Sequence, residues 1–260
     1  MTPFDSLILG LVEGFTEFLP ISSTAHLILT SYILGLDQSA FVKTFEIAIQ
    51  SGAILAVIVV YWRKLLNIEI LKRITMAFIP TAIIGLILYK TIKEYLIGNI
   101  AIVLWALAIG GILLILFEYF FRNRDRNKEI NTIDDINLIS YKKSILIGMA
   151  QSIAVIPGVS RSAATIVGGL LIGLSRRVIV EFSFLLAVPT ILAATALDLS
   201  KNYSLFAINQ ISSLSIGFVS AFIMAIIGIK FLLSYIENKT FIAFGVYRII
   251  LVIFFIVFLL

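Results

Sequence analysis

Glu13-Gly-Phe-Thr-Glu17-Phe-Leu-Pro20-Ile-Ser22-Ser23-Thr24-Ala-His26 is the stretch on which the reading of this chain turns. It sets two carboxylates, a proline, three consecutive hydroxyls and the chain's one histidine inside a sequence that is otherwise lipid-soluble. Of the 260 residues 60% are hydrophobic and only 13% charged, and the mean hydropathy is +1.10. So few charges cannot coat a soluble globule of this size, whereas so much apolar sequence supplies several membrane spans. The expected fold is an all-α integral membrane protein. Carboxylates, hydroxyls and an imidazole are costly at membrane depth unless they face a cavity, a partner or a substrate, so the stretch marks a functional site.

Working outward, the composition removes several classes. The net charge of +5 would suggest nucleic acid in a soluble protein. Here the basic residues sit in short loops between apolar runs, which is an orientation signal, and nucleic acid is discarded as a partner. The absence of cysteine excludes disulfides, thiolate zinc sites and cysteine nucleophiles. Met1-Thr-Pro-Phe-Asp5 lacks the basic start and small-residue cleavage site of a secretory signal, so the first apolar stretch is expected to remain in the mature protein.

Six apolar runs are long enough to cross the roughly 30 Å hydrocarbon core: 45–62, 76–93, 100–121, 181–199, 213–236 and 241–260. Two more, 7–34 and 144–174, are apolar but interrupted, by Pro20 with Ser22-Ser23-Thr24 and by Pro157-Gly158 with Ser160-Arg161-Ser162. Proline removes an amide donor, so each reads as two half-helices meeting at a polar turn: a re-entrant hairpin. Pro20 and Pro157 are each followed three residues later by a serine, Ala82-Ile-Ile-Gly85 recurs as Ala225-Ile-Ile-Gly228, and Ile100-Ala101 as Ile242-Ala243. The unit is a hairpin plus three spans. Three being odd, the second copy is expected upside down, with the two breaks meeting near the midplane. The first repeat is 1–121, a linker runs 122–143, and the inverted second repeat is 144–260. Arg63, Lys64, Lys72 and Arg73, then Arg122, Arg124, Arg126, Lys128, Lys142 and Lys143, put the linker on the cytoplasmic side and both termini outside.

Glu13 and Glu17 are four apart, which stacks both carboxylates on one helix face where they bind a cation, share a proton, or both. Ser22, Ser23 and Thr24 open the second half-helix, and hydroxyls with free amides at a helix N-terminus attract anions, phosphate above all. Simple capping accounts for one of the three. His26 lies one turn from Ser23, as an acid or base partnering a serine would. The second break adds Arg161, flanked by Ser160 and Ser162. Its planar fork matches phosphate oxygens, with an ion pair to Glu13 or Glu17 as the plainer alternative. Serine, histidine, paired acids and arginine together describe phosphoryl transfer.

These residues, with Lys43-Thr-Phe-Glu-Ile-Ala-Ile-Gln50 and Pro157-Gly-Val-Ser-Arg161-Ser162, closely resemble the undecaprenyl-diphosphate phosphatase family, also called the bacitracin resistance proteins, over almost the whole chain. The resemblance implies hydrolysis of a polyprenyl diphosphate lipid in the bacterial cytoplasmic membrane to the monophosphate carrier of cell-wall precursors. It implies a divalent cation, Mg2+ or Ca2+, and a site open to the outer face. By the same resemblance Ser23 is the nucleophile, His26 and Glu17 its proton partners, Glu13 and Glu17 the cation-side acids, and Arg161 the diphosphate clamp. Ser22, Thr24, Ser160 and Ser162 fall on the phosphate side. Whether Ser23 or His26 attacks is left open, as is the oligomeric state, a homo-oligomer included. Inverted repeats and broken helices also describe secondary transporters, so a carrier or flippase of a lipid phosphate or anion is the competing expectation.

Overall fold

A computed structural model of the chain describes residues 1–96, 99–126, 132–202 and 210–259, without the side chains of Lys93, residues 122–126 and Asn238. Lys128 and Glu129 of the basic linker therefore lie outside the described residues, as do the side chains of Arg122, Arg124, Asp125 and Arg126. The described chain is helical, with a single parallel bridge between Ile133 and Leu174 in place of any sheet.

Ten α-helices follow in order: α1 (Pro3–Thr16), α2 (Ser23–Ile33), α3 (Ala40–Leu65), α4 (Ile68–Thr91), α5 (Ile100–Arg126), α6 (Tyr141–Ser152), α7 (Arg161–Leu171), α8 (Arg176–Asn202), α9 (Ile211–Asn238) and α10 (Ile242–Phe258). Five are long and apolar enough to cross a membrane: α3, α4, Ile100–Phe121 of α5, α8, and Ile211–Glu237 of α9. The chain is a multi-pass membrane protein. The sixth expected span corresponds to α10, which has 17 residues and so rises about 25 Å.

The two interrupted stretches are broken where the prolines stand. α1 has 14 residues and α2 has 11, α6 has 12 and α7 has 11, each too short to cross alone. Helix α1 starts cleanly because Thr2 and Asp5 form a reciprocal capping box and Pro3 occupies the first turn. It stops at Glu17 because Pro20 cannot continue the ladder. Ser22 and Ser160 each cap the helix after the break, accepting from the amides of Ala25 and Ala163.

Packing seats the first half-helix of each break on the other half of the chain. Helix α1 lies on α9, and α6 lies on α4. Both approaches are close enough to demand glycine. A Cβ on Gly14 would sit 2.2 Å from the Ala221 carbonyl oxygen, and one on Gly148 would sit 2.0 Å from that of Ala77. The main core joins Phe18 of the first break to α3, α4, α8 and α9, and the Phe18 ring meets Phe184 edge-on at 5.2 Å.

Candidate active site

The first break is held in a conformation its sequence does not favour. Ser22 has φ 71° and ψ 94°, left-handed backbone that penalises any residue with a Cβ. That kink turns the chain so that Ser23, first residue of α2, faces back onto the C-terminus of α1. There the Ser23 hydroxyl donates to Oε2 of Glu17. The other oxygen of the same carboxylate, Oε1, accepts from the guanidinium of Arg161 at 2.7 Å. A second arm of Arg161 donates to the Ser183 carbonyl of α8 at 2.8 Å. One carboxylate thus takes the serine proton donor on one side and a two-armed cation on the other, all three groups nearly buried.

The serines flanking Arg161 sew the breaks together. Ser162 Oγ donates to the Leu19 carbonyl at 2.7 Å, and Ser160 Oγ lies 2.9 Å from Ser162 Oγ. Ser162 is thereby committed to the first break, whereas Ser160 also borders the cavity described below. His26 is on the same helix as Ser23 but is engaged elsewhere. Its Nδ1 lies 2.7 Å from the Ser22 carbonyl and its Nε2 lies 2.8 Å from the Tyr247 hydroxyl, so neither nitrogen meets Ser23. Ser23 and His26 share a face of α2 as their spacing implies, but no hydrogen bond joins them: the hydroxyl is turned to Glu17 and the imidazole to the Ser22 carbonyl and Tyr247.

Among the described residues no N–H or hydroxyl donor reaches either oxygen of the wholly buried Glu13; its neighbours are Glu17, close enough for the two carboxyls to share a proton, and the charged groups of Arg161 and Glu46. Orphaned carboxylate oxygens beside a second acid suit a hard cation, and Glu13 with Glu17 would be its protein ligands. Among the described residues no cluster of three or more His, Cys, Asp or Glu is present, so water and phosphate oxygens would have to complete the shell.

A cavity of about 460 Å³ opens over this centre. Glu17, Ser22, Ser23, Thr24, Ser160 and Arg161 form its polar end, and apolar side chains of α4 and α8 form its walls. Its far end is bounded by Tyr89 and Asp198, joined at 2.9 Å. Gln151 donates to Thr81 at 2.9 Å and to Thr190 at 3.2 Å on another wall.

Sequence comparison now assigns the family. A model described as the bacitracin resistance protein BacA matches residues 6–254. The chain belongs to the BacA family. Its relatives include proteins named undecaprenyl-diphosphatase from Sulfurihydrogenibium sp. (52% identical, covering 96% of this chain and 97% of that one), Persephonella marina (51%, 98% of each) and Wolinella succinogenes (47%, 100% and 99%).

Sequence reasoning about this BacA-family chain passed over Tyr247 and Arg248. Arg248 is a cation in the apolar run of α10, the same signal that singled out Arg161, and it is 1% exposed. Tyr247 gave no signal, because a tyrosine in a membrane helix is unexceptional until its hydroxyl is seen on His26. Glu46, likewise buried, accepts from Ser31 at 2.7 Å and Gln38 at 3.1 Å.

Proposed function

We propose that the protein is an undecaprenyl-diphosphatase that cleaves the phosphoanhydride bond of a membrane-borne polyprenyl diphosphate. Products are inorganic phosphate and the monophosphate lipid, so the reaction returns the carrier to cell-wall synthesis and accounts for bacitracin resistance. The observation that carries the proposal is the Ser23 hydroxyl donating to a Glu17 carboxylate that also holds Arg161, at the polar end of a cavity with apolar walls. A carrier needs ligands for its cargo but no serine with a base attached, which disfavours transport as the primary activity.

In this scheme Arg161 turns its fork to the terminal phosphoryl group, and the hydroxyls and amides around Ser22, Ser23 and Thr24 take further phosphate oxygens. Ser23 Oγ attacks the terminal phosphorus as its proton passes to Glu17. The bond from that phosphorus to the bridging oxygen breaks, and the lipid monophosphate leaves with both bonding electrons and receives the proton from Glu17. Glu17 then takes a proton from water as the water attacks phosphoserine. Phosphate departs, and the proton returns from Glu17 to Ser23 Oγ. Positioning and charge stabilisation supply the catalysis. A divalent cation, Mg2+ or Ca2+, held by Glu13 and Glu17 would supply positive charge against the diphosphate. His26 is engaged by the Ser22 carbonyl and the Tyr247 hydroxyl and does not border the cavity, which favours Ser23 over His26 as nucleophile.

The architecture proposed with this function is six spans and two re-entrant hairpins in an inverted repeat. It is supported by the exchange of half-helices: α1 of the first half rests on α9 of the second, and α6 of the second rests on α4 of the first. The orientation follows from charge. Arg63, Lys64, Lys72 and Arg73 cluster where α3 passes into α4, whereas the cavity is bounded by Tyr89 and Asp198 near the opposite ends of α4 and α8. Positive loops stay in the cytoplasm, so the cavity opens to the outer face of a bacterial cytoplasmic membrane. Phosphate release from a long-chain prenyl diphosphate by purified protein in detergent tests the proposal. It requires release by the wild type, abolished in Ser23→Ala, and fails if Ser23→Ala matches the wild type.

A further inference from the structure

Arg248 is the largest side chain among the fully buried residues described here, on a helix that otherwise offers apolar side chains. One guanidinium nitrogen donates to the Gly158 carbonyl at 2.5 Å, and Nε has no hydrogen-bond partner among the described residues. A permanent cation so placed, with its donors only partly satisfied, is expensive to bury, and in a membrane segment such groups are kept for function.

Its one carbonyl partner explains what that function is. Gly158 lies in the second break, at φ 96°, between Pro157 and the Val159-Ser160-Arg161 segment. Pro157, Val159, Ser160 and Arg161 all border the cavity, while Gly158 and Arg248 do not. Gly158 faces the other way, where a Cβ would come within 2.8 Å of the Val103 carbonyl oxygen on α5. Arg248 therefore grips the back of the turn whose front presents Arg161. Space for the guanidinium is made by Gly110 of α5, whose Cβ would fall 2.8 to 2.9 Å from three of its atoms. The preceding residue does the matching job on the other hairpin: the Tyr247 hydroxyl meets His26, which in turn meets the Ser22 carbonyl at the first break.

We infer that Arg248 is a positioning residue for the reaction, fixing the second break through Gly158 so that Arg161 stands at the reach Glu17 and the transferring phosphoryl group require. Consecutive residues of α10 thus set the two breaks against each other. The inference rests on the phosphatase reading of the Ser23 site. A displacement of about 1 Å at a reacting centre is enough to cost about 10²-fold in rate, so the effect belongs in turnover more than in substrate affinity.

Arg248→Met and Gly110→Ala test it, the second by crowding the guanidinium while leaving Arg248 in place. Purified variants are assayed for phosphate release from a prenyl diphosphate and for thermal unfolding in detergent with and without inorganic pyrophosphate. Expected for Arg248→Met is a fall in kcat of about 10²-fold with KM changed less than about threefold. Combined with Arg161→Lys it should cost little more than Arg161→Lys alone, because Arg248 acts through Arg161. Gly110→Ala should lower kcat about tenfold and reduce the pyrophosphate-dependent thermal shift by no more than a loss of affinity of about threefold gives. Turnover within twofold of wild type in Gly110→Ala and in whichever Arg248 variant folds, Met or Lys, overturns the inference. So do losses at 161 and 248 that multiply. A wild type that releases no phosphate while pyrophosphate still stabilises it more than Gly110→Ala removes the phosphatase reading and leaves the placement of Arg248 standing.

Discussion

Arg161 and Glu17 come from opposite halves of the chain and meet at 2.7 Å where the two broken helices touch. The pair neutralises two charges that would otherwise lie bare at membrane depth, and in the proposed mechanism an arriving diphosphate would compete with Glu17 for the guanidinium. On that proposal the resting ion pair and the substrate clamp are two uses of one cation.

Arg161→Lys should lose activity by about 10²-fold while unfolding at a temperature close to the wild type. Lysine keeps the charge, but its three donors diverge from one nitrogen and cannot replace the fork that reaches both Glu17 and the Ser183 carbonyl or offer two parallel donors to phosphate. Near-normal kcat in the lysine variant would show that a point charge suffices.

Glu13→Gln and Glu17→Gln should separate the two acids. No N–H or hydroxyl among the described residues donates to Glu13, and its amide should weaken the binding of Mg2+ or Ca2+, measured calorimetrically, because a neutral amide is a poor ligand for a hard cation. Glu17→Gln should weaken the same binding and also abolish turnover by removing the base that receives the Ser23 proton. Unchanged cation affinity in both variants would remove the cation site.

Gly14→Val should destabilise the fold by about 2 kcal/mol or more, since its Cβ would meet α9 backbone at 2.2 Å. Gly85→Ala, with open space around its Cβ, is the control and should unfold like the wild type. Thermal unfolding in detergent compares the two.

Single cysteines at Lys72 and Glu237 should be labelled from the same, cytoplasmic side in whole cells. This follows from six spans with an inverted second half, and the absence of native cysteine leaves the labelling free of background. Labelling from opposite sides would reject that topology.

Much of this was legible in the sequence, for physical reasons that also mark where reading stopped. Pro20 and Pro157 announced both breaks through the polar runs behind them, Ser22-Ser23-Thr24 and Ser160-Arg161-Ser162; a proline alone does not break these helices, since Pro80 and Pro189 lie inside α4 and α8. Glu17, Ser23 and Arg161 declared themselves by their cost in an apolar chain. Spacing alone, however, made His26 the partner of Ser23, since one turn of helix separates them; what spacing could not show is that Glu17 takes the hydroxyl while the Ser22 carbonyl and Tyr247 take the imidazole. Ser162 read as a phosphate ligand, yet its hydroxyl is spent on the Leu19 carbonyl, a partner on the other hairpin. Arg248 carried the same signal as Arg161 and was passed over because no proline or serine stood beside it.

The seating of α1 against α9 also sets an order of events during synthesis. Gly10 and Gly14 of α1 find their partners at Gly217, Ser220 and Ala221, so α1 waits for α9, seven intervening helices later among those described, before its packing face is covered. Until then Glu13 lacks the burial it has in the finished protein, and Glu17 waits separately for Arg161. The site is completed late, and a chain stalled before α9 would insert in the membrane without becoming competent.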